Sequence, residues 1–444
     1  MSELRFIIDT AEKIIASALK ENNLTTQVTS LVENAGKFKI NVPDTLNFIW
    51  IGDPAKADLR YLPVWQRFNP GAALQLWTDD SSSLCVHFHL CLKNRVLNNP
   101  QLSLRELQNE AFNFIYPRVV RGQTFNAAAT DYLRVSGAGN ETEIDSPGFQ
   151  QSSYYLPEGV KKRDIQSLLS HDLSVYRKYY YYEIILRGNL AAASDIIRLM
   201  ILSRYGGTYI DIDTLPYVSD IFHYTSEVER QLSLENDERV CLAKSAAFMA
   251  WFEEQSDITV HSRAFIDNIS QLTDVNRQLI LSSIRSDILG MDFDKIKPMS
   301  NSIKVHPDLM LIGATDFLPG VYYNNLLCSA PASKLVRMVL HNIAKRYTFL
   351  EKNGAVFCTD TYGESLRQSE ILTGYRSHDS YLSSPVTRWL TGPGVIIDTV
   401  IQLVYRLMPA STVHRPEILG EILHRDEFGL TLKLQTLDTP MGLK

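Results

Sequence analysis

The stretch Gly188–Pro216, GNLAAASDIIRLMILSRYGGTYIDIDTLP, decides how the rest of the chain is read. Its spacing predicts a helix from about Leu190 to Tyr205, with small residues early and an apolar face at Ile196, Leu199, Met200 and Leu202. Gly206 and Gly207 then offer a left-handed turn to end the helix, since neither carries a Cβ that would clash. A short strand, Thr208–Asp213, is expected next. Alternation would send Tyr209, Asp211 and Asp213 to one face and Thr208, Ile210 and Ile212 to the other.

Two carboxylates at that spacing repel each other unless a cation sits between or beside them. Hard, oxygen-preferring ions such as Mn²⁺ or Mg²⁺ suit the pair, because they keep waters and bridge to substrate phosphates. On the preceding helix Asp195 and Arg198 stand three apart and share a face. Read singly, these features describe a surface ion pair and a solvated acidic strand end. Together they are far more specific than their parts.

The run NLAAASDIIR…GGTYIDID resembles the donor-binding core of glycosyltransferases that carry a sugar-binding region with an Asp-x-Asp motif. Within that group it is most similar to the catalytic domains of the large clostridial glucosylating toxins and related bacterial effectors. The resemblance implies an α/β fold of GT-A type, with a mixed, mainly parallel sheet, N-terminal helices and helical insertions. It also implies a role for each residue. Asp213 would bind the metal directly, and Asp211 would contact ribose or sugar hydroxyls and reach the ion through water. Asp195 and Arg198 would hold sugar hydroxyls, with Arg198 also facing the diphosphate. Leu190 and Ser194 would line the pocket, and Tyr209 would pack on sugar or ribose.

Towards the N-terminus, VPDTLNFIWIGD reads as a strand over Leu46–Ile51, ended by Gly52-Asp53-Pro54. YLPVWQRFNPGAALQLWTDD reads as a helix, a turn at Asn69-Pro70-Gly71 and a second strand ending at Trp77. Strand, helix, strand is the opening of a parallel nucleotide-binding sheet. Taken alone, Trp50 would be a core aromatic; the resemblance implies that it stacks on the donor's uracil. Residues 1–40 are expected to form a helical segment, with Leu4, Ile7, Ile8, Ala11, Ile14 and Ile15 on one stripe. Its polar face is mixed in charge, which favours packing on the catalytic domain over contact with a membrane. His87 and His89 read as alternating on a strand and as structural, with no third ligand in sight. The five tyrosines of Tyr176–Tyr182 read as a helix without chemistry.

Residues 41–444 are expected to be one GT-A domain, with a helical insertion on the acceptor side at about 217–302. From Ile303 the pattern returns to sheet and then helix. Tyr323-Asn324-Asn325 ahead of Pro331 resembles the segment in which an Asn bonds the donor; Asn324 fits by spacing and Asn325 is its alternative. Thr391-Gly392-Pro393-Gly394, after Arg388 and Trp389, resembles the TGPG segment beyond the donor pocket. Its glycines would let backbone approach the substrate. The toxin catalytic domains also close a C-terminal Trp over the metal, and here no Trp lies beyond Trp389. His424, Asp426 and Glu427 therefore stand as unseparated candidates for a third metal contact.

Composition bounds the function classes. The chain has 444 residues, 45% hydrophobic and 21% charged, as in ordinary globular proteins. A net charge of −6 supplies no basic footprint for nucleic acid. Five scattered cysteines suggest neither a zinc site nor a disulfide framework. The opening MSELRFIID is not a secretory signal, and no run of about 18–20 apolar residues spans a membrane. The expectation is a metal-dependent, retaining transferase, secreted or translocated into a host cytosol. It would move one sugar from UDP-glucose or UDP-N-acetylglucosamine to a hydroxyl of a host protein, by analogy a Rho/Ras-type small GTPase. The bulk of Tyr323 and Asn325 points to glucose, provided Asn324 is the pocket residue. Two other readings are a bacterial glycan or polysaccharide transferase and a non-catalytic nucleotide-sugar-binding scaffold.

Overall fold

The computed structural model describes residues 38–138, 156–170, 173–216, 221–234, 237–255, 274–292, 303–314, 322–352 and 389–407, with short pieces at 419–420, 423–424, 430–432 and 437–438. Nearly all of the expected N-terminal helix, and Asp426 and Glu427, lie outside these residues. Seven strands form the main sheet: β1 (Thr45–Ile51), β2 (Ala73–Asp79), β3 (Lys161–Asp164), β4 (Gly207–Ile210), β5 (Met310–Ala314), β6 (Tyr322–Ser329) and β7 (Thr431–Leu432). Their order is β7-β5-β6-β4-β1-β2-β3. β1 lies parallel to β2 and β4, β2 to β3, and β5 to β7; β6 alone runs antiparallel, between β4 and β5. The sheet is thus mixed and mainly parallel, as expected.

Helices cover both faces, so the strands carry apolar side chains on both. Leu46 and Phe48 of β1 point into one core with Leu76, Ile210 and Leu326. That core is closed by α1 (Leu62–Phe68), α6 (His223–Leu232), α7 (Glu238–Gln255) and α8 (Asp274–Leu289), through residues such as Trp65, Phe222, Phe252 and Ile280. The next residues along β1, Ile49 and Ile51, face the larger core with Trp77, Tyr209 and Leu327. There the cover is α2 (Cys85–Asn98), α3 (Leu104–Val120), α4 (Phe125–Ser136), α5 (Leu190–Tyr205), α9 (Lys334–Lys352) and α10 (Pro393–Leu407).

α5 spans the residues its sequence predicted. Asn189 caps it, its side chain accepting from the Ala192 N–H at 3.0 Å. The helix is buried all round rather than on one face, with Asp195 and Arg198 as its charged insiders. At its end Gly206 (φ 65°) and Gly207 (φ 91°) both take positive φ. A Cβ on Gly206 would lie 2.6 Å from Pro331, so only glycine lets the chain turn there.

Three expectations are corrected. The strand expected over Thr208–Asp213 stops at Ile210. The Asp211 N–H still bonds the Asn325 carbonyl at 2.8 Å, but the Thr214 N–H then folds back to the Asp211 carbonyl at 3.0 Å. Asp211-Ile212-Asp213 is therefore a turn, and strand alternation does not govern its two carboxylates. Thr214–Leu215 resumes as a two-residue strand, paired with Leu437–Asp438. β2 runs on to Asp79 instead of ending at Trp77, because its ladder with Ile51 continues. His87 and His89 lie on helix α2, where His89 is buried and sits 2.8 Å from the Ile184 carbonyl.

Candidate functional site

The site forms at the carboxyl end of β4, a strand length away from the turn at Gly206-Gly207 by which α5 folds back into β4. From Arg198 to Gly206 the helix rises about 12 Å, and from Gly207 to Asp211 the chain extends about 13 Å in the opposite sense. The near-equal lengths set Arg198 level with Asp211. Nη1 of Arg198 lies 3.2 Å from Oδ1 of Asp211, and Nη2 lies 3.1 Å from Oδ1 of Asp195. The guanidinium rests 4.3 Å over the Tyr209 ring, and the Tyr209 hydroxyl donates to Asp211 at 2.5 Å. The Ser194 hydroxyl accepts from Nη2 at 3.4 Å.

β6 completes the cluster. Because it runs antiparallel to β4, with Ile210 opposite Leu326, the residues just before Leu326 come beside Asp211. Asn324 donates its amide to Oδ1 of Asp195 at 2.8 Å, and its carbonyl accepts from Nη1 of Arg198 at 2.6 Å. The structure therefore joins Asn324, not Asn325, to the acid–arginine pair. The side-chain oxygen of Asn325 instead lies against Gly313.

Trp50 is the penultimate residue of β1. It is half-buried, and its indole N–H donates to the Asp53 carbonyl at 3.0 Å. A Cβ on Gly52 would lie 3.1 Å from Leu190, so the loop after Trp50 packs against the start of α5. Leu190, Ser194, Asp195, Arg198, Tyr209, Asp211 and Asn324 thus gather near the carboxyl end of β4, while Trp50, near the carboxyl end of the neighbouring β1, packs on the opposite core with Leu46 and Phe48. Ligands of open α/β sheets bind at such ends.

Asp195 and Arg198 are only 4% and 5% exposed, so this is no surface ion pair. Burial raises the Asp195 pKa, against the opposing pull of Arg198 and its hydrogen-bond donors. Burial also works against the charge on Arg198, yet Asp211, Tyr209, Asp195 and Asp213 outweigh it and its pKa is raised. The Tyr209 hydroxyl, desolvated and next to Asp211, is held well above the ordinary tyrosine value.

Asp211 and Asp213 are both half-buried, and their carboxylates are hard donors of the kind Mg²⁺ or Mn²⁺ takes. Among the described residues no three His, Cys, Asp or Glu side chains gather to enclose an ion. Two such carboxylates fit a hard divalent ion as part of its ligand set. His424 is buried, its ring edge-on to Tyr322.

Sequence reasoning missed two members of the architecture. Thr391 is buried and donates to Oδ2 of Asp195 at 2.9 Å; the TGPG segment signalled the place, though its glycines drew the reading. Asp79, fully buried at the end of β2, accepts from the hydroxyls of Tyr180 and Ser82, both at 2.6 Å. The acidic strand end and the tyrosine run were visible, but not their meeting.

Comparison with known proteins agrees with this fold. Residues 130–368 match the family model of the TcdA/TcdB catalytic glycosyltransferase domain. Toxin A of Clostridium novyi is 24% identical over 220 residues, 45% of this chain and 10% of the toxin. Cytotoxin-L of Paraclostridium sordellii is 25% identical over 359 residues, 74% of this chain and 14% of the toxin. The chain thus spans a small part of these relatives' length. In fold it is similar to the catalytic domain of alpha-toxin from Clostridium novyi, with a TM-score of 0.58 at 17% identity, covering 90% of this chain and 79% of that one. With its own sheet, Asp-x-Asp turn and buried acid–arginine pair in place, the chain belongs to the family of TcdA/TcdB catalytic glycosyltransferase domains.

Proposed function

We propose that this domain transfers a single sugar, glucose or N-acetylglucosamine, from its uridine-diphosphate donor to a hydroxyl side chain of a host protein. A Rho- or Ras-type small GTPase in the host cytosol is the acceptor class that family membership favours. Residues 41–444 act as the catalytic unit in this reading, with the helices of about 217–302 on the acceptor side. The observation that carries it is the buried network of Asp195, Arg198, Asn324 and Asp211 at the carboxyl ends of the parallel strands.

In this scheme Trp50 stacks on the uracil, and Leu190 and Ser194 line the sugar pocket. Asp195 and Asn324 bind sugar hydroxyls, Tyr209 packs on sugar or ribose, and Arg198 presents its fixed fork towards the diphosphate. Asp213 and Asp211 would hold Mn²⁺ or Mg²⁺. When bound, that ion supplies Lewis-acid stabilisation of charge on the departing diphosphate. The bond from the anomeric carbon to the diphosphate oxygen breaks with its electron pair on that oxygen. The acceptor hydroxyl then bonds to the anomeric carbon from the same face, and its proton passes to the leaving group. Retention follows, and no carboxylate nucleophile is needed.

The test is UDP release with Mn²⁺ from UDP-glucose and UDP-N-acetylglucosamine, for the wild type and for Asp211→Asn/Asp213→Asn. Metal-dependent release from one donor, lost in the double variant, supports the proposal, and labelling of host lysate with that donor then identifies the acceptor. No turnover of either donor, with binding that ignores both metal and the aspartates, refutes it.

A further inference from the structure

We propose that Thr391 is a positioning residue that aims one lone pair of Asp195 at the donor sugar, and so sets the enzyme's grip on the sugar without touching the nucleotide. This rests on the sugar transfer proposed above. Oδ1 of Asp195 accepts from Arg198 at 3.1 Å and from Asn324 at 2.8 Å. Oδ2 accepts from Thr391 at 2.9 Å. An ionised carboxylate has about four lone-pair sites, two on each oxygen. The two donors on Oδ1 fill it, and Thr391 leaves Oδ2 with one further site for a ligand hydroxyl.

A carboxylate held only at Oδ1 could rotate about its Cβ–Cγ bond. The Thr391 hydroxyl, donated across the fold from a residue 196 positions away, fixes that rotation. Thr391 is itself held firmly. It is fully buried just ahead of α10, and Arg346 of α9 grips both the Trp389 carbonyl before it and Asp398 of α10 after it. Asn342 of α9 adds a bond to Thr399 at 2.8 Å. The docking of α10 on α9 thereby sets the plane of an acid on α5.

The experiment compares binding of UDP and of the UDP-sugar that the wild type turns over, by calorimetry, for wild type, Thr391→Val, Thr391→Ala and Thr391→Ser. Valine keeps the shape and removes the donor; alanine removes the same donor without placing a methyl against the carboxylate, should valine not fold. An unmatched buried acceptor costs enough to predict an affinity loss of about tenfold for the UDP-sugar. The affinity for UDP should stay at the wild-type value, KM for the donor should rise by a similar factor, and Thr391→Ser should recover most of the loss. Equal weakening of UDP and UDP-sugar would show a structural role and overturn the inference, as would wild-type binding by a folded Thr391→Val or Thr391→Ala. If the wild type turns over no UDP-sugar, the transfer reading itself fails. An active wild type with indifferent Thr391 variants refutes only the positioning role.

Discussion

Arg198 is the group on which the candidate site's charge balance turns, and replacing it with Gln isolates that balance. The side chain is almost completely buried between two carboxylates, with Asp195 5% exposed and Asp211 31% exposed at the side chain. Removing one partner of a buried pair costs about 3–5 kcal/mol, because an uncompensated charge stays behind. Asp211 reaches solvent and relaxes part of its share, so the lower end applies: Arg198→Gln should lose about 3 kcal/mol. Arg198→Lys should fall between, since a point charge cannot serve Asp195, Asp211 and the Asn324 carbonyl from one fixed fork. The decisive arm is the double variant Arg198→Gln/Asp195→Asn. If the cost comes from stranding Asp195, the double variant should be more stable than the sum of the singles by about 1–3 kcal/mol. Urea unfolding at neutral pH measures the wild type, Arg198→Gln, Arg198→Lys, Asp195→Asn and the double variant. Additivity of the single variants within about 0.5 kcal/mol would refute the charge-balance reasoning.

Other consequences are open to measurement. Burial lowers the His89 pKa from 6.5 to about 4; the unfolded chain therefore binds a proton that the native protein refuses, and stability should fall as pH drops through that window. The loss should total about 3 kcal/mol, and His89→Gln should show a flatter stability profile between those pH values. Glu183, buried beside Arg187 and accepting from Tyr347, has its pKa raised above 4.5 by desolvation. Its sign is opposite: stability should be lost as pH rises above 4.5, and Glu183→Gln should remove that slope in urea titrations. Gly206→Ala should cost about 2 kcal/mol or more in thermal unfolding, since its Cβ would press on Pro331 at a positive φ.

Much of the site could be read from the chain because it is local. The cap Asn189, the helix to Tyr205, the two glycines and the acid–arginine spacing lie in one uninterrupted run, and short-range rules govern each of them. The turn at Asp211 was misread for a physical reason: alternation assumes that ladder pairing continues, whereas β6 stops supplying partners once Asp211 has bonded Asn325. The histidines of α2 were misread because His-x-His mimics strand alternation, while the helix is specified by what Phe88, Cys91 and Leu92 bury against the core. Thr391 and Asp79 could not be paired with Asp195 and Tyr180 by any local rule. Those contacts span 196 and 101 positions and exist only once the helices have docked.

The same groups that would bind the donor also hold the domain together, and this constrains any reading of site variants. Arg198 links α5 to the turn after β4 and to the backbone of β6, while Asp195 links α5 to β6 and to the segment before α10. A substitution at either position therefore loosens the joins between several elements at once. Loss of turnover at Asp195 or Arg198 cannot by itself assign a catalytic role. The informative variants act at the edge of the network: Asp213, which stands in the turn, and Thr391, whose hydroxyl can be removed at almost constant volume. A drop in sugar affinity with UDP binding preserved at Thr391, and a loss of metal-dependent UDP binding at Asp213, separate ligand chemistry from scaffold in a way that the central pair does not allow.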